Sequence, residues 1–212
     1  MNTLRYIKKK YGLTFSGKMP IEIPDKDRMN LASLFNELGF KVGVEIGTAR
    51  GRYAKSLCRR IPDLRLYCVD PWKKHDEYVY PAEQRKFDDG YEATKKRLAP
   101  YDVRIIRKLS LEAVKEFEPG SLDFVYIDGN HEFSHAASDI YAWSKMVRPG
   151  GIVSGHDFRR FLRADLQMHV VEAVMGYTIA YKIRPWFVLG SRYPEEGEVR
   201  DFSRSWFWVK EG

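Results

Sequence analysis

From Val42 to Ser154 the chain alternates β-prone and helix-prone runs, and that alternation leaves few architectures open. Five short apolar runs read as strands: Val42–Ile46, Leu64–Val69, Val103–Arg107, Leu122–Ile127 and Ile152–Ser154. Helical runs separate them at Arg50–Ile61, Asp89–Leu98, Leu111–Phe117 and Ser134–Val147. Ser110 is expected to cap the third of these, and a Pro149-Gly150-Gly151 turn to end the fourth. Strands joined through helices run parallel, so the expectation is an α/β fold with a doubly wound sheet covered on both faces. Upstream, Leu31, Leu34, Phe35 and Leu38 recur at i, i+3, i+4 and i+7, predicting a helix capped by Asp25 and stopped by Gly39. Downstream, a helix near Ala164–Met175 precedes two aromatic runs, Tyr177–Leu189 and Ser205–Lys210, expected to form an antiparallel hairpin on the sheet edge.

A length of 212 residues suits one such domain, and a 44% hydrophobic content excludes global disorder. No uncharged apolar run approaches the ~18 residues of a membrane-spanning helix. No apolar stretch of signal-peptide type follows Arg5 and Lys8–Lys10, so a soluble, cytoplasmic protein is expected, with Cys58 and Cys68 as reduced thiols. The net charge is +7. Residues 1–24 read as a basic arm and 25–212 as a single domain. Within the arm, Arg5–Lys18 holds five cations and no acid, interleaved with Leu4, Tyr6, Ile7, Tyr11, Leu13 and Phe15. A solvated arm is its default; a helix docked on the domain or on a dimer partner, an anionic-membrane contact and a nucleic-acid footprint are the alternatives.

In an open parallel sheet the ligand lies beyond the carboxyl ends of the strands. The first strand ends in Glu45-Ile46-Gly47-Thr48-Ala49-Arg50-Gly51, where glycines permit a sharp turn and the next helix offers free N–H groups. Ala49 and Arg52 occupy two of the three positions at which a dinucleotide fingerprint needs glycine. Asp70 follows the second strand, 19 residues after Gly51, where a carboxylate can accept both ribose hydroxyls. A nucleoside cofactor without a pyrophosphate fits this spacing.

The Glu45–Gly51 loop, Val69-Asp70-Pro71-Trp72, Asp123–His131 and Arg148-Pro149-Gly150-Gly151, taken in order, resemble the class I S-adenosylmethionine-dependent methyltransferases. Tyr126-Ile127-Asp128-Gly129-Asn130-His131 and Gly155-His156-Asp157 are similar to a subgroup of small sugar and macrolide O-methyltransferases and cephalosporin-hydroxylase-like proteins. The resemblance implies a Rossmann-like sheet of seven strands and S-adenosyl-L-methionine as cofactor. It implies that Glu45, Gly47, Thr48, Ala49 and Gly51 hold the methionine end and Asp70 the ribose, with Pro71, Trp72 and Gly129 beside them. Ser110 and Leu111 would lie against adenine, and Asp128 would face the amino group or a metal.

Transfer to a hydroxyl needs a base, and His131, three residues after Asp128, can reach the methyl; in the resembling sugar enzymes the matching histidine is that base. Asp128 and Asp157 follow neighbouring strands and would repel each other without a proton or a cation between them. Asp128, His156 and Asp157 are therefore the candidate ligands for Mg2+ or, given the imidazole, another divalent metal. The loop Pro71–Pro81, with Trp72, His75, Tyr78 and Tyr80, and Arg159, Arg160 and Arg163 after the fifth strand either line an acceptor pocket or are solvated. The expected activity is O-methylation of a small molecule or sugar. The alternatives are an RNA methyltransferase and a non-catalytic nucleoside-binding domain. Ile127-Asp128-Gly129-Asn130 lacks the Asn/Asp-Pro-Pro-Tyr/Phe sequence that holds a flipped base, which disfavours nucleic acid. A homodimer is compatible with the sequence.

Overall fold

A computed structural model describes residues 2–14, 17–73, 83–160, 168–199 and 201–212. Its strands are β1 (Ile21–Ile23), β2 (Val42–Ile46), β3 (Arg65–Val69), β4 (Val103–Ile106), β5 (Leu122–Ile127), β6 (Val147–Gly155), β7 (Trp186–Leu189) and β8 (Trp206–Val209). The helices are α1 (Thr3–Lys10), α2 (Arg28–Glu37), α3 (Arg52–Arg60), α4 (Gln84–Leu98), α5 (Ser110–Ala113), α6 (Phe133–Ser144) and α7 (Val170–Ala180). All eight strands form one sheet in the order β1-β7-β8-β6-β5-β2-β3-β4, and only β8 runs against the rest. This is the expected mostly parallel, Rossmann-like arrangement with an antiparallel hairpin. The short strand β1, unmarked in the sequence pattern, adds an eighth strand beside β7.

Alternation along the central strands sorts the core into two layers. Phe124 and Tyr126 of β5 face Leu31, Phe35, Tyr53 and Leu57 of α2 and α3, while Val125 faces Ile140 and Trp143 of α6 and Val174 of α7. The Phe35 and Phe124 rings stack with centroids 4.2 Å apart. Gly43 of β2 makes room for that stack, because a Cβ there would overlap the Phe124 ring. Residues 1–24 contribute α1, whose Ile7 is fully buried and whose Thr3 hydroxyl donates to the Gly150 carbonyl at 2.6 Å, together with β1.

Four local expectations are corrected. Asp27, not Asp25, caps α2: its carboxylate accepts from the Met29 and Asn30 N–H groups, and the Asn30 side chain returns a bond to the Asp27 N–H. A cap must directly precede the first helical residue; Asp25 sits in the turn before, with φ 54°, and accepts the Val199 N–H. Ser110 is the first residue of α5 and not its cap, which is Leu109. Arg148–Gly151 form a bulge inside β6 and not a turn, since the pairing shifts between Leu122 and Phe124 and resumes at Ile152. Tyr177–Ala180 complete α7, because Val170, Ala173, Val174 and Thr178 keep a buried helical stripe going past Tyr177; the strand starts only at Trp186. The start expected for that helix, at 164–167, lies outside the described residues. Among the described residues no helix is long and apolar enough to cross a membrane.

Gly43→Ala should destabilise the fold by about 1–3 kcal/mol, because the Phe124 stack cannot yield without leaving its rotamer. Equilibrium urea unfolding measures this, and an unchanged midpoint would contradict the packing account.

Candidate active site

The strand registers end together. Ile46 pairs with Val69 and Ile127, Val69 with Ile106, and Ile127 with Gly155, so the residues that follow form one row along the carboxyl edge. Backbone bonds extend the ladders by one step: Asp128 N–H donates to Ile46 O at 2.8 Å, Gly47 N–H to Val69 O at 2.8 Å and His156 N–H to Ile127 O at 3.0 Å.

Gly47 has φ +84°, and a Cβ there would overlap the Asp128 carbonyl, so only glycine lets these two loops touch. Ala49 also takes a left-handed φ, 49°, held from both sides. Its N–H donates to Asp70 Oδ2 at 2.9 Å, and its carbonyl accepts the Trp72 indole N–H at 2.6 Å and the Thr94 hydroxyl at 3.0 Å. Asp70 also accepts the Trp72 N–H at 2.7 Å, and Arg107 fixes the Trp72 carbonyl at 3.1 Å. Trp72 is thus buried behind the loop, which it braces with Pro71 beside it. Burial raises the Asp70 pKa against the two backbone bonds and Arg107. Gly51, φ +66°, begins α3.

Glu45 is fully buried, and its Oε2 has no hydrogen-bond partner among the described residues. Burial pushes its carboxyl up to about 8, with Asp128 and Asp70 adding to the rise and the buried Thr48 hydroxyl and Arg28 opposing it. On the other side of the row, the Ser110 hydroxyl accepts the Trp143 indole N–H at 2.7 Å and bonds Asp139, so its own donor is spent within the protein. Leu111 is half exposed next to it. Asp139, raised to about 6 by burial against Ser110 and His135, lies 3.5 Å from where a Gly129 Cβ would sit.

Beyond Asp128 the acids and histidines converge. Asp128, His131 and Asp157 place ligand-capable atoms within 4.8 Å of one another. His131 Nε2 is 2.9 Å from Asp157 Oδ2 and 3.9 Å from Asp128 Oδ1, and His156 Nδ1 is 3.5 Å and 3.9 Å from the same two carboxylates. His156 Nε2 lies 3.5 Å from Asp201 Oδ1. These contacts are close but poorly aligned: both Nε2 atoms are buried without a hydrogen bond among the described residues. Burial opposes the imidazolium of His131, yet Asp128 and Asp157 raise it to about 9; Asp157 and Asp201 likewise raise His156 to about 10. Burial works against the charge on Asp157 too, but the two histidines hold it far below the usual carboxylate range. Asp157 keeps a strained φ of 57°, which turns its carboxylate between them.

The cofactor-loop, acid and histidine candidates among the described residues thus lie along this edge, with Trp72 turned inward and the Ser110 hydroxyl occupied. Arg159 lies over the Phe202 ring and Arg160 pairs with Glu172 at 2.8 Å, so both are engaged at the rim. Arg163, His75, Tyr78 and Tyr80 lie outside the described residues. Three residues at the site carried no expectation. Arg28 approaches Asp128 Oδ2 at 3.8 Å from the start of α2, and Asp201 arrives from the connection between β7 and β8. Asp139 had a legible signal, an acid within the apolar stripe Ala136, Ile140 and Trp143; the other two had none.

The sheet order and this row of loops define a class I S-adenosylmethionine-dependent methyltransferase. The profile of the family described as "Methyltransferase domain" matches residues 44–158, more than half of the chain, and the chain belongs to that family. Structural neighbours include an O-methyltransferase from Bacillus cereus in complex with SAH, with TM-score 0.60, 15% identity and coverage of 98% of this chain and 89% of that one. The N-methyltransferase NodS from Bradyrhizobium japonicum WM9 has TM-score 0.54 and 15% identity, over 87% of this chain and 95% of that one. At such identities the likeness concerns the fold. A protein of Sinorhizobium fredii (strain NBRC 101917 / NGR234), uncharacterized protein y4gI, is 26% identical over 118 residues; the match spans 54% of this chain but only 13% of that protein.

Glu45 supplies a pH prediction. The folded chain keeps this proton up to about 8, whereas a glutamate in the unfolded chain loses it near 4.5, so the stability present below 4.5 is lost as pH rises from there through 8. Glu45→Gln should flatten that decline, making the ligand-free variant more stable than wild type above pH 8 by on the order of 1 kcal/mol or more. Denaturant unfolding at acid and alkaline pH measures it; parallel curves for the two proteins would contradict the burial of a neutral Glu45.

Proposed function

We propose that the protein transfers the methyl group of S-adenosylmethionine to a hydroxyl of a small molecule or sugar, with a divalent metal beside the reacting oxygen. The observation that carries this reading is the convergence of Asp128, His131, His156 and Asp157 at the loop edge next to Gly47. The mixed donors, carboxylate oxygens of Asp128 and Asp157 with His156 Nδ1 3.9 Å and 3.5 Å from them, fit a divalent cation. Asp128 and Asp157 would supply oxygens and His156 a nitrogen. Asp201 behind His156 supports that choice, because metal-bound imidazoles are usually braced by a carboxylate on the other ring nitrogen. A bound divalent metal supplies positive charge that lowers the pKa of an acceptor hydroxyl.

The chain's own residues do the rest. The Gly47–Gly51 turn and Asp70 orient the cofactor, and in-line displacement then depends on holding the acceptor oxygen opposite the sulfonium. His131 takes the hydroxyl proton. Without metal it is held as an imidazolium by Asp157, so it serves as a base only once its own proton has left.

Calorimetry with S-adenosylhomocysteine, followed by transfer assays on sugar and phenolic hydroxyls with and without chelator, tests the reading. No binding at millimolar ligand would overturn it. The two histidines should separate: His156→Ala should abolish Mn2+ binding, whereas His131→Ala should keep the metal and lower kcat by about 10²–10⁴-fold. The reverse assignment in metal titrations would contradict these roles.

A further inference from the structure

We propose that Arg28 receives the α-carboxylate of the cofactor's methionine end, an assignment that rests on the S-adenosylmethionine reading above. Arg28 is the first helical residue of α2, and burial of Leu31, Leu34 and Phe35 fixes the roll of that helix against the sheet. Its guanidinium lies between two parts of the site. On one side its Nη1 is 3.8 Å from Asp128 Oδ2; on the other its Cζ stands 5.3 Å from the centroid of the Tyr53 ring. Tyr53 belongs to the first turn of α3, directly after the Gly47–Gly51 loop, and its hydroxyl donates to the Arg28 carbonyl at 2.9 Å. The side chain is therefore bracketed by Asp128 and by Tyr53, two residues past the Gly47–Gly51 turn, beside the place that the reading above gives to the amino-acid portion of the cofactor.

Hydrogen bonding and charge then identify the group it meets. A guanidinium carries five N–H donors in a planar fork. At 3.8 Å the Asp128 contact is too long to be a hydrogen bond, and no Arg28 guanidinium donor is hydrogen-bonded among the described residues, although the side chain is two-thirds buried. A zwitterion needs both signs around it. Glu45 and Asp128 suit an ammonium, while His131 and His156 lie against Asp157 and Asp201. Arg28 is left as the cation on the cofactor side, with a fork that matches a carboxylate in two bonds.

Three ligands separate this role from general stabilisation: S-adenosylmethionine, its decarboxylated analogue, and 5′-deoxy-5′-methylthioadenosine, which lacks the whole amino-acid portion. In the intact wild type the decarboxylated analogue should bind at least tenfold more weakly than S-adenosylmethionine. Arg28→Met should weaken S-adenosylmethionine by about ten- to a hundredfold, leave methylthioadenosine within about twofold, and make the decarboxylated analogue and the parent bind alike. Arg28→Lys should recover part of the loss. Equal weakening of all three ligands, or unchanged cofactor affinity with a raised acceptor KM, would overturn the assignment. Should Arg28→Met fail to fold, the wild-type preference for the carboxylated ligand and the Arg28→Lys titration decide it. If the wild type binds none of the three, the cofactor reading itself fails, and this assignment with it.

Discussion

The site depends on the contact between two backbones, the turn at Gly47 and the end of β5 at Asp128. Asp128 N–H donates to Ile46 O, and the glycine has no Cβ to hold the chains apart. This contact brings the Gly47–Gly51 loop and Asp128 into one row, from which Asp70 and Asp157 follow by strand pairing. Because the parallel registers all end at one level, four residues distant in sequence come together without a dedicated tether.

Such a row concentrates acids, and the structure offsets them in different ways. Glu45 keeps a proton through burial, Asp70 spends its oxygens on two backbone N–H groups, and Asp157 is flanked by two histidines raised toward the charged form. Each offset is one that a ligand can replace: an ammonium beside Glu45, ribose hydroxyls on the remaining lone pairs of Asp70, or a divalent cation in place of the imidazolium protons. Asp70 and Asp157 thus tie neighbouring loops together in the ligand-free chain, whereas Glu45 is tolerated only while it keeps its proton.

Much of this was legible in the sequence because it follows from period and punctuation. The strand and helix runs, the Glu45–Gly51 turn and the acids after the strands are local patterns, and they fall where expected along the edge. Features decided by tertiary contact were not legible. Asp27 displaced Asp25 as a cap over a difference of two residues, and α7 ran on through Tyr177 because its stripe continued into the core. The bulge at Arg148–Gly151 looked like a turn because Pro-Gly-Gly is the same punctuation in either setting. Arg28 and Asp201 carried no mark in the sequence. Their proximity to Asp128 and His156 is a property of the folded chain alone.

The most direct test of the central claim is a crystal structure grown with S-adenosylhomocysteine and Mn2+, read by anomalous difference density. The account predicts ribose hydroxyls on Asp70, a methionine end between the Gly47–Gly51 turn and Asp128, and a single anomalous peak between Asp128 and Asp157. Cofactor density away from the Gly47–Gly51 turn, or Mn2+ bound only elsewhere, would contradict it.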